Sequence, residues 1–191
     1  MERKAPPSRP PSARLFVALD LPGEARERLV AWQHDALGRH DELRLVTPEA
    51  LHVTLAFLGH HPEEEVDAIA AAALSRVAGL PVPLLEPVRL VGVPPRLPRL
   101  FAADLADEGG RAAAVHDAVA EPLVEGGWYE REKRPFWPHL TVARVRARER
   151  PPRVDAEPPS GAFEAREVVL YRSRLSRSGA QYQPLARMRL A

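Results

Sequence analysis

The sequence predicts an α+β fold, and three observations carry that prediction. Apolar runs of strand length recur from residue 15 to residue 190. Three longer segments instead show apolar residues at helical spacing, and mixed strands with a few helices read as α+β. Two short words of strand character, His52-Val53-Thr54-Leu55 and His139-Leu140-Thr141-Val142, lie 87 residues apart, so each half of the chain supplies one.

Residues 1–12 contain four prolines with Arg, Lys and Ser, a composition that cannot bury a core; it predicts a disordered Pro-rich leader, with one domain over residues 13–191. Leu15–Leu19 is an apolar strand, and Asp20-Leu21-Pro22-Gly23 a turn into a helix over Glu24–Leu37 with Leu29, Trp32 and Ala36 on its inner stripe. Strands are expected at Leu43–Val46 and Leu51–Leu58, the second ending in a Gly59–Pro62 turn. An Ala-rich helix then spans Glu63–Val77 with Val66, Ile69, Ala70 and Ala73 inward. Val88–Val91 and Leu100–Leu105 read as strands and Asp107–Val124 as a third helix, which Pro122 ends or kinks early. Pro138–Val145 is a strand and Arg150–Ser160 a proline-broken loop. Phe163–Tyr171 and Tyr182–Leu190 are strands joined by a turn around Ser178-Gly179.

The chain has 191 residues and no cysteine, which excludes disulfides and thiolate metal sites and suits a reducing cytosol. No apolar run reaches membrane-span length and the Pro-rich start lacks a signal-peptide core, so the expectation is a cytoplasmic protein with no membrane contact. Net charge is +1 but uneven: residues 1–130 carry 13 Lys+Arg against 20 Asp+Glu, and residues 131–191 carry 14 against 6. A basic C-terminal third attracts a polyanion or is merely a solvated Arg-rich surface.

The two words are the most informative feature. With seven histidines and three threonines in the chain, chance placement gives about 0.1 His-x-Thr pairs. In a strand, residues two apart share a face, so each word presents imidazole and hydroxyl together and buries its aliphatic pair. Two histidines on one pocket supply a base and an acid near neutrality, and two hydroxyls supply donors to developing charge. That is the equipment for in-line attack on a phosphodiester.

Around these words the chain resembles the two-histidine phosphoesterases, and within them the RNA 2′,3′-cyclic phosphodiesterases, also called 2′-5′ RNA ligases. The resemblance rests on Arg14–Leu19, Pro48–Gly59, Pro135–Arg144, and Ser173-Arg174-Leu175 with Gly179 and Tyr182, in family order from residue 14 to the end. It implies two β-rich lobes with outer helices flanking a central cleft, and hydrolysis of RNA or nucleotide 2′,3′-cyclic phosphate ends to 2′-phosphomonoesters. It also implies hydrolysis without metal or other cofactor, with His52 as proton donor and His139 as acceptor; from the chemistry, Thr54 and Thr141 donate to the non-bridging oxygens, and a monomer is expected. By the same resemblance Arg144 lies near the phosphate. The chain departs from the family at Leu45, where Trp is common, and at Arg99–Ala103, where the family strand is aromatic-rich; both bear on base stacking rather than chemistry.

Other readings of the same residues are open. A non-catalytic RNA-end binding module would keep the pocket without needing an acid and a base. A related two-histidine enzyme acting on cyclic ADP-ribose phosphates or 2′-5′ oligoadenylates would share the site. Arg144 also fits an alternating solvent-facing row with Arg146 and Arg148, and Tyr182 either bonds the phosphate or caps the last strand. Trp137 is core or a base platform; Trp32 and Phe57 read as core. His34, His40 and His116 read as solvated surface residues. His60-His61 beside His52 lacks the carboxylate and spacing of a zinc site.

Overall fold

The run Leu15–Leu19 is buried along its whole length because both of its faces are covered. Leu15, Val17 and Leu19 join the main core, whereas Phe16 and Ala18 pack with Val169 and Tyr171 in a smaller cluster on the other face. This segment is the centre of strand β1, Ser12–Asp20, in a computed structural model that describes residues 11–176 and 179–191. The expected leader lies almost wholly outside the described residues, and so does Ser178 of the expected turn. The strand itself starts at Ser12, which pairs with Pro62.

Along the chain, β1 is followed by α1 (Gly23–Trp32), β2 (Leu43–Leu45), β3 (His52–Pro62), α2 (Val66–Leu74), β4 (Leu84–Val93) and β5 (Leu100–Asp107). Then come α3 (Arg111–Glu125), β6 (His139–Val145), β7 (Phe163–Glu164), β8 (Glu167–Ser176) and β9 (Gly179–Arg189). All pairings are antiparallel. The sheet order is β7-β4-β5-β6-β3-β1-β8-β9, with β2 added on β6. Two lobes are evident in this order: β4–β7 with β2 form one, and β1, β3, β8 and β9 the other. They meet where β3 pairs β6 through Val53↔Leu140. The sheet is continuous but narrow there, and one apolar core runs beneath both lobes. The expected α+β fold is thus observed.

Several elements differ from expectation in extent. The first helix ends at Trp32 and closes in a π-helical turn, Gln33–Leu37. Its buried stripe is Ala25, Leu29, Gln33 and Leu37 rather than Leu29, Trp32 and Ala36; Trp32 and Ala36 only flank the core. Gln33 is buried because its amide is satisfied: Nε2 donates to Val46 O at 3.2 Å and Val142 O at 2.6 Å. β3 continues through Gly59–Pro62, where a turn was expected, because the β1 edge pairs with it as far as Ser12. The segment Phe163–Tyr171 is two strands, since Phe163–Glu164 pairs with β4 and the chain then crosses to β1 and β9 as β8.

Pro122 does not end α3, which runs on to Glu125. It is buried in the last turn and its carbonyl still accepts from Gly126 N at 3.0 Å, so only its own missing N–H is lost. At the other end Asp107 accepts from Ala112 N and Ala113 N, both at 2.9 Å, satisfying donors that a helix start leaves free. Among the described residues no helix is long and apolar enough to cross a membrane.

Candidate active site

β3 and β6 have the same burial pattern over their first six residues. His and Thr are half-buried, the residue between them is buried, the two residues after Thr are both buried, and the residue five after His is exposed. The consecutive buried pairs, Leu55-Ala56 and Val142-Ala143, are β-bulges: Ala18 opposes Thr54 while Val17 opposes Ala56, and Ala102 opposes Thr141 while Phe101 opposes Ala143. A bulge inserts one residue and reverses the alternation beyond it. Phe57 and Arg144, which strict alternation would send to the far face, therefore return to the face of His and Thr. This excludes the solvent-facing row for Arg144. Arg146 lies past the end of β6, its Nε donating to Asp41 O at 2.9 Å, and Arg148 occupies a turn with φ 72°.

The antiparallel pair Val53↔Leu140 runs His52 towards Thr141 and Thr54 towards His139 on the face opposite the core. All four side chains line one cavity of about 510 Å³ between the lobes, with Arg144, Arg14, Arg44, Phe16, Phe57 and Tyr182. The two imidazoles are fixed in the same way. His52 Nδ1–H donates to Ala50 O at 2.8 Å and His139 Nδ1–H to Trp137 O at 2.8 Å, in each case the carbonyl two residues earlier. That bond leaves Nε2 as the nitrogen free for chemistry. His52 Nε2 meets Thr54 Oγ1 at 3.1 Å.

Electrostatics distinguish the two rings. Burial, the largest cause, lowers the His52 pKa to about 4; the bond to Ala50 and the Asp20 charge oppose this, while His139 and Arg144 reinforce it. His52 is accordingly neutral near neutrality, and its Nε2 lone pair accepts from the Thr54 hydroxyl. Phe16 packs against its ring at 4.8 Å between centroids, and Tyr182 meets it edge-on at 5.3 Å. Tyr182 is placed by ring packing on His52 and Phe16 and also lines the cavity.

Around His139 the packing is different. Trp137 stacks flat on the ring, centroids 4.1 Å apart, and its Nε1–H donates to Asp104 Oδ1 at 2.7 Å. Asp104 Oδ2 accepts from Arg89 Nε at 2.6 Å, tying the stack to β4 and β5. Trp137 is thus not core: one face is spent on His139 and the ring is exposed. Phe57 is not core either. It is 48 % exposed, and Arg14 lies 4.7 Å from its ring centroid. His116 is not a solvated residue, since it stacks on Phe136 at 4.6 Å and burial, its leading cause, lowers its pKa.

Arg14, Phe16 and Ser173 belong to the cleft; the sequence placed them in segments that carry the resemblance but not among the site residues. The i, i+2 spacing of Arg14 and Phe16 on an apolar strand was the available signal. Leu45 lines the cleft where the family commonly has Trp. His60 lies outside the lining, and His61 bonds Leu58 O at 3.1 Å. Among the described residues no cluster of three His, Cys, Asp or Glu side chains could hold a metal ion. A second cavity of about 530 Å³, between the start of α1 and Phe163–Glu167, contains neither motif.

Comparison with known proteins agrees with this geometry. The chain is 34% identical over 186 residues to an RNA 2',3'-cyclic phosphodiesterase of Thermus thermophilus, covering 93% of this chain and 90% of that protein. The fold superposes on the crystal structure of a Thermus thermophilus protein with a TM-score of 0.81 at 27% identity, covering 92% of this chain and 97% of the other. It is also similar to Escherichia coli LigT crystallised with 3'-AMP, with a TM-score of 0.72 at 26% identity over 94% of this chain and 99% of that one. A sequence model of one protein family matches residues 21–177, a span that takes in both His-x-Thr strands, and the chain therefore belongs to the 2'-5' RNA ligase superfamily.

Proposed function

We propose that the cleft hydrolyses the 2′,3′-cyclic phosphate of an RNA end or small nucleotide to a 2′-phosphomonoester, with His139 as general base, His52 as general acid and no metal ion. The observation that carries this reading is the pair of imidazoles, each locked through Nδ1–H to a carbonyl and each presenting Nε2 to one cavity. Acid–base work on opposite sides of phosphorus needs two such groups, whereas an RNA-end binding module needs only donors.

In the reaction, His139 Nε2 takes a proton from water as the water oxygen bonds to phosphorus. The bond from phosphorus to the 3′ oxygen breaks in line, and His52 Nε2–H protonates the departing oxygen. Arg144 and the Thr54 and Thr141 hydroxyls hold the non-bridging oxygens. The donor set of imidazoles, hydroxyls and guanidinium groups carries positive charge without a cation. Both histidines come from one chain, so a monomer is complete.

The low pKa of His52 fits this role once the substrate is counted. A phosphate anion about 4 Å away contributes about 4 kcal/mol at an effective dielectric of about 20, or about three pKa units, which returns the ring to the neutral range. Protonation also ends the acceptance from Thr54. Nε2 now carries the proton for the departing 3′ oxygen, and the Thr54 hydrogen is released to the phosphate. Loading the acid and freeing the hydroxyl are one event.

The test is turnover of a 2′,3′-cyclic mononucleotide by protein dialysed against strong chelator, with the product read by phosphorus NMR. A 2′-phosphomonoester formed at the undialysed rate is expected. Activity that disappears with chelator and returns with zinc or manganese would overturn the metal-free reading, and a 3′-phosphomonoester would overturn the regiochemistry.

A further inference from the structure

Arg14 takes no part in the proton transfers, yet it is built into the cleft wall. Its Nη1 donates to the hydroxyl of buried Ser173 at 3.2 Å, and its guanidinium lies over Phe57. Other arginines in this protein meet carboxylates: Arg26 meets Asp20, Arg89 meets Asp104 and Arg131 meets Asp117. The described partners of Arg14 are instead a hydroxyl and a ring, which fix the guanidinium in place without neutralising it. Among the described residues, most of its five N–H donors have no partner. A preorganised, unneutralised fork in a cavity wall fits an anion from outside.

Its position says which anion. Phe16, two residues along β1 and on the same cavity, holds the His52 ring. Two residues of strand separate the Arg14 and Phe16 backbones by about 7 Å, a step of nucleotide size, and the guanidinium lies over Phe57, the cross-strand partner of Phe16. The lobes are also complementary here. The position five after the histidine is Arg144 in β6, which serves the reacting phosphate, and Phe57 in β3, which carries Arg14.

We propose that Arg14, held by Ser173 and Phe57, is a second phosphate subsite that takes the phosphate on the 5′ side of the nucleotide bearing the cyclic phosphate. The inference rests on the hydrolytic reading of the cleft. It makes RNA ends, and nucleotides carrying a 5′-phosphate, the preferred substrate class over cyclic mononucleosides.

The experiment compares kcat/KM for adenosine 2′,3′-cyclic phosphate with that for the same compound bearing a 5′-phosphate. The wild type should prefer the phosphorylated compound by roughly 10- to 100-fold, the worth of charge-assisted hydrogen bonds to one phosphate. Arg14→Gln should bring that ratio close to one, Arg14→Lys should keep part of it, and Ser173→Ala should lower it by loosening the guanidinium. A ratio near one in the wild type, or a ratio that survives Arg14→Gln, overturns the subsite. Failure of the wild type to turn over either compound is a distinct result that overturns the hydrolytic reading itself.

Discussion

Burial, the leading cause, with the Arg144 charge beside it, holds His52 neutral, and the same burial makes its proton depend on what enters the cleft. His52→Ala and His139→Ala should each lower kcat by about 10²–10⁴-fold with the fold intact, and the double variant should lose less than the product of the two, because the groups act as a unit. Steady-state rates with circular dichroism check this. The depressed pKa also predicts a stability trend. His52 binds its proton more readily unfolded, so its contribution is complete above the unfolded value of 6.5 and is lost as pH falls through about 4. The loss amounts to about 3 kcal/mol at most. Urea unfolding at pH 7 and pH 4 should show a smaller drop in His52→Gln than in the wild type, and equal drops would contradict the buried-neutral state. Histidine and threonine were legible in the sequence because a two-residue spacing fixes a shared face. The roles of Arg14, Ser173 and Asp104 were not, since each acts through a partner on another strand, and the level of the His52 pKa depends on packing that no spacing encodes.

In both motif strands the two residues after the threonine are as important as the motif itself. Leu55-Ala56 and Val142-Ala143 are buried apolar pairs, and the bulge each forms brings the next residue back to the cleft. Arg144→Ala should therefore lower kcat/KM by roughly 10- to 100-fold, as expected when a charged donor to phosphate is removed. Gln33 supports this arrangement from below, tying the π-helical turn to the carbonyl of Val142 within the β6 bulge. Gln33→Leu removes both amide bonds and should destabilise the protein by about 1–3 kcal/mol, measured as a shift in the urea midpoint. The existence and type of the main strands and helices came from apolar periodicity. The misread ends have particular causes: β3 and β1 extend each other beyond their apolar stretches, and Phe163–Glu164 pairs with a different neighbour from Glu167–Ser176. The doublets were visible as breaks in alternation. Their effect on Arg144 became apparent only with the register of β5 known.

Across the whole molecule, two lobes meet at the motif strands, so His52 and His139, one from each half, lie on either side of the seam. Charge is arranged on the same scale. Part of the excess of the C-terminal third pairs back onto the acidic first part, with Arg131 on Asp117, Arg172 on Glu63 and Arg187 on Asp20. Three arginines, Arg14, Arg44 and Arg144, line the cleft, and under the proposed function they are the ones expected to attract RNA. Oligonucleotide affinity should fall with salt along a logarithmic slope of about 2, at about 0.7 per contact for a single strand, and a slope near 5 would mean that the whole basic third is engaged. The central claim is the division of proton labour across the seam. It is tested most directly by the pH dependence of cyclic mononucleotide turnover in the wild type, His52→Ala and His139→Ala. A bell is expected in the wild type, with the kcat/KM profile displaced to the acid side of the kcat profile because bound phosphate raises the His52 pKa. A flattened acidic limb is expected without His139 and a flattened alkaline limb without His52. A wild-type profile flat from mildly acid to mildly alkaline pH with chemistry rate-limiting, or limbs lost in the opposite order, would contradict that division of labour.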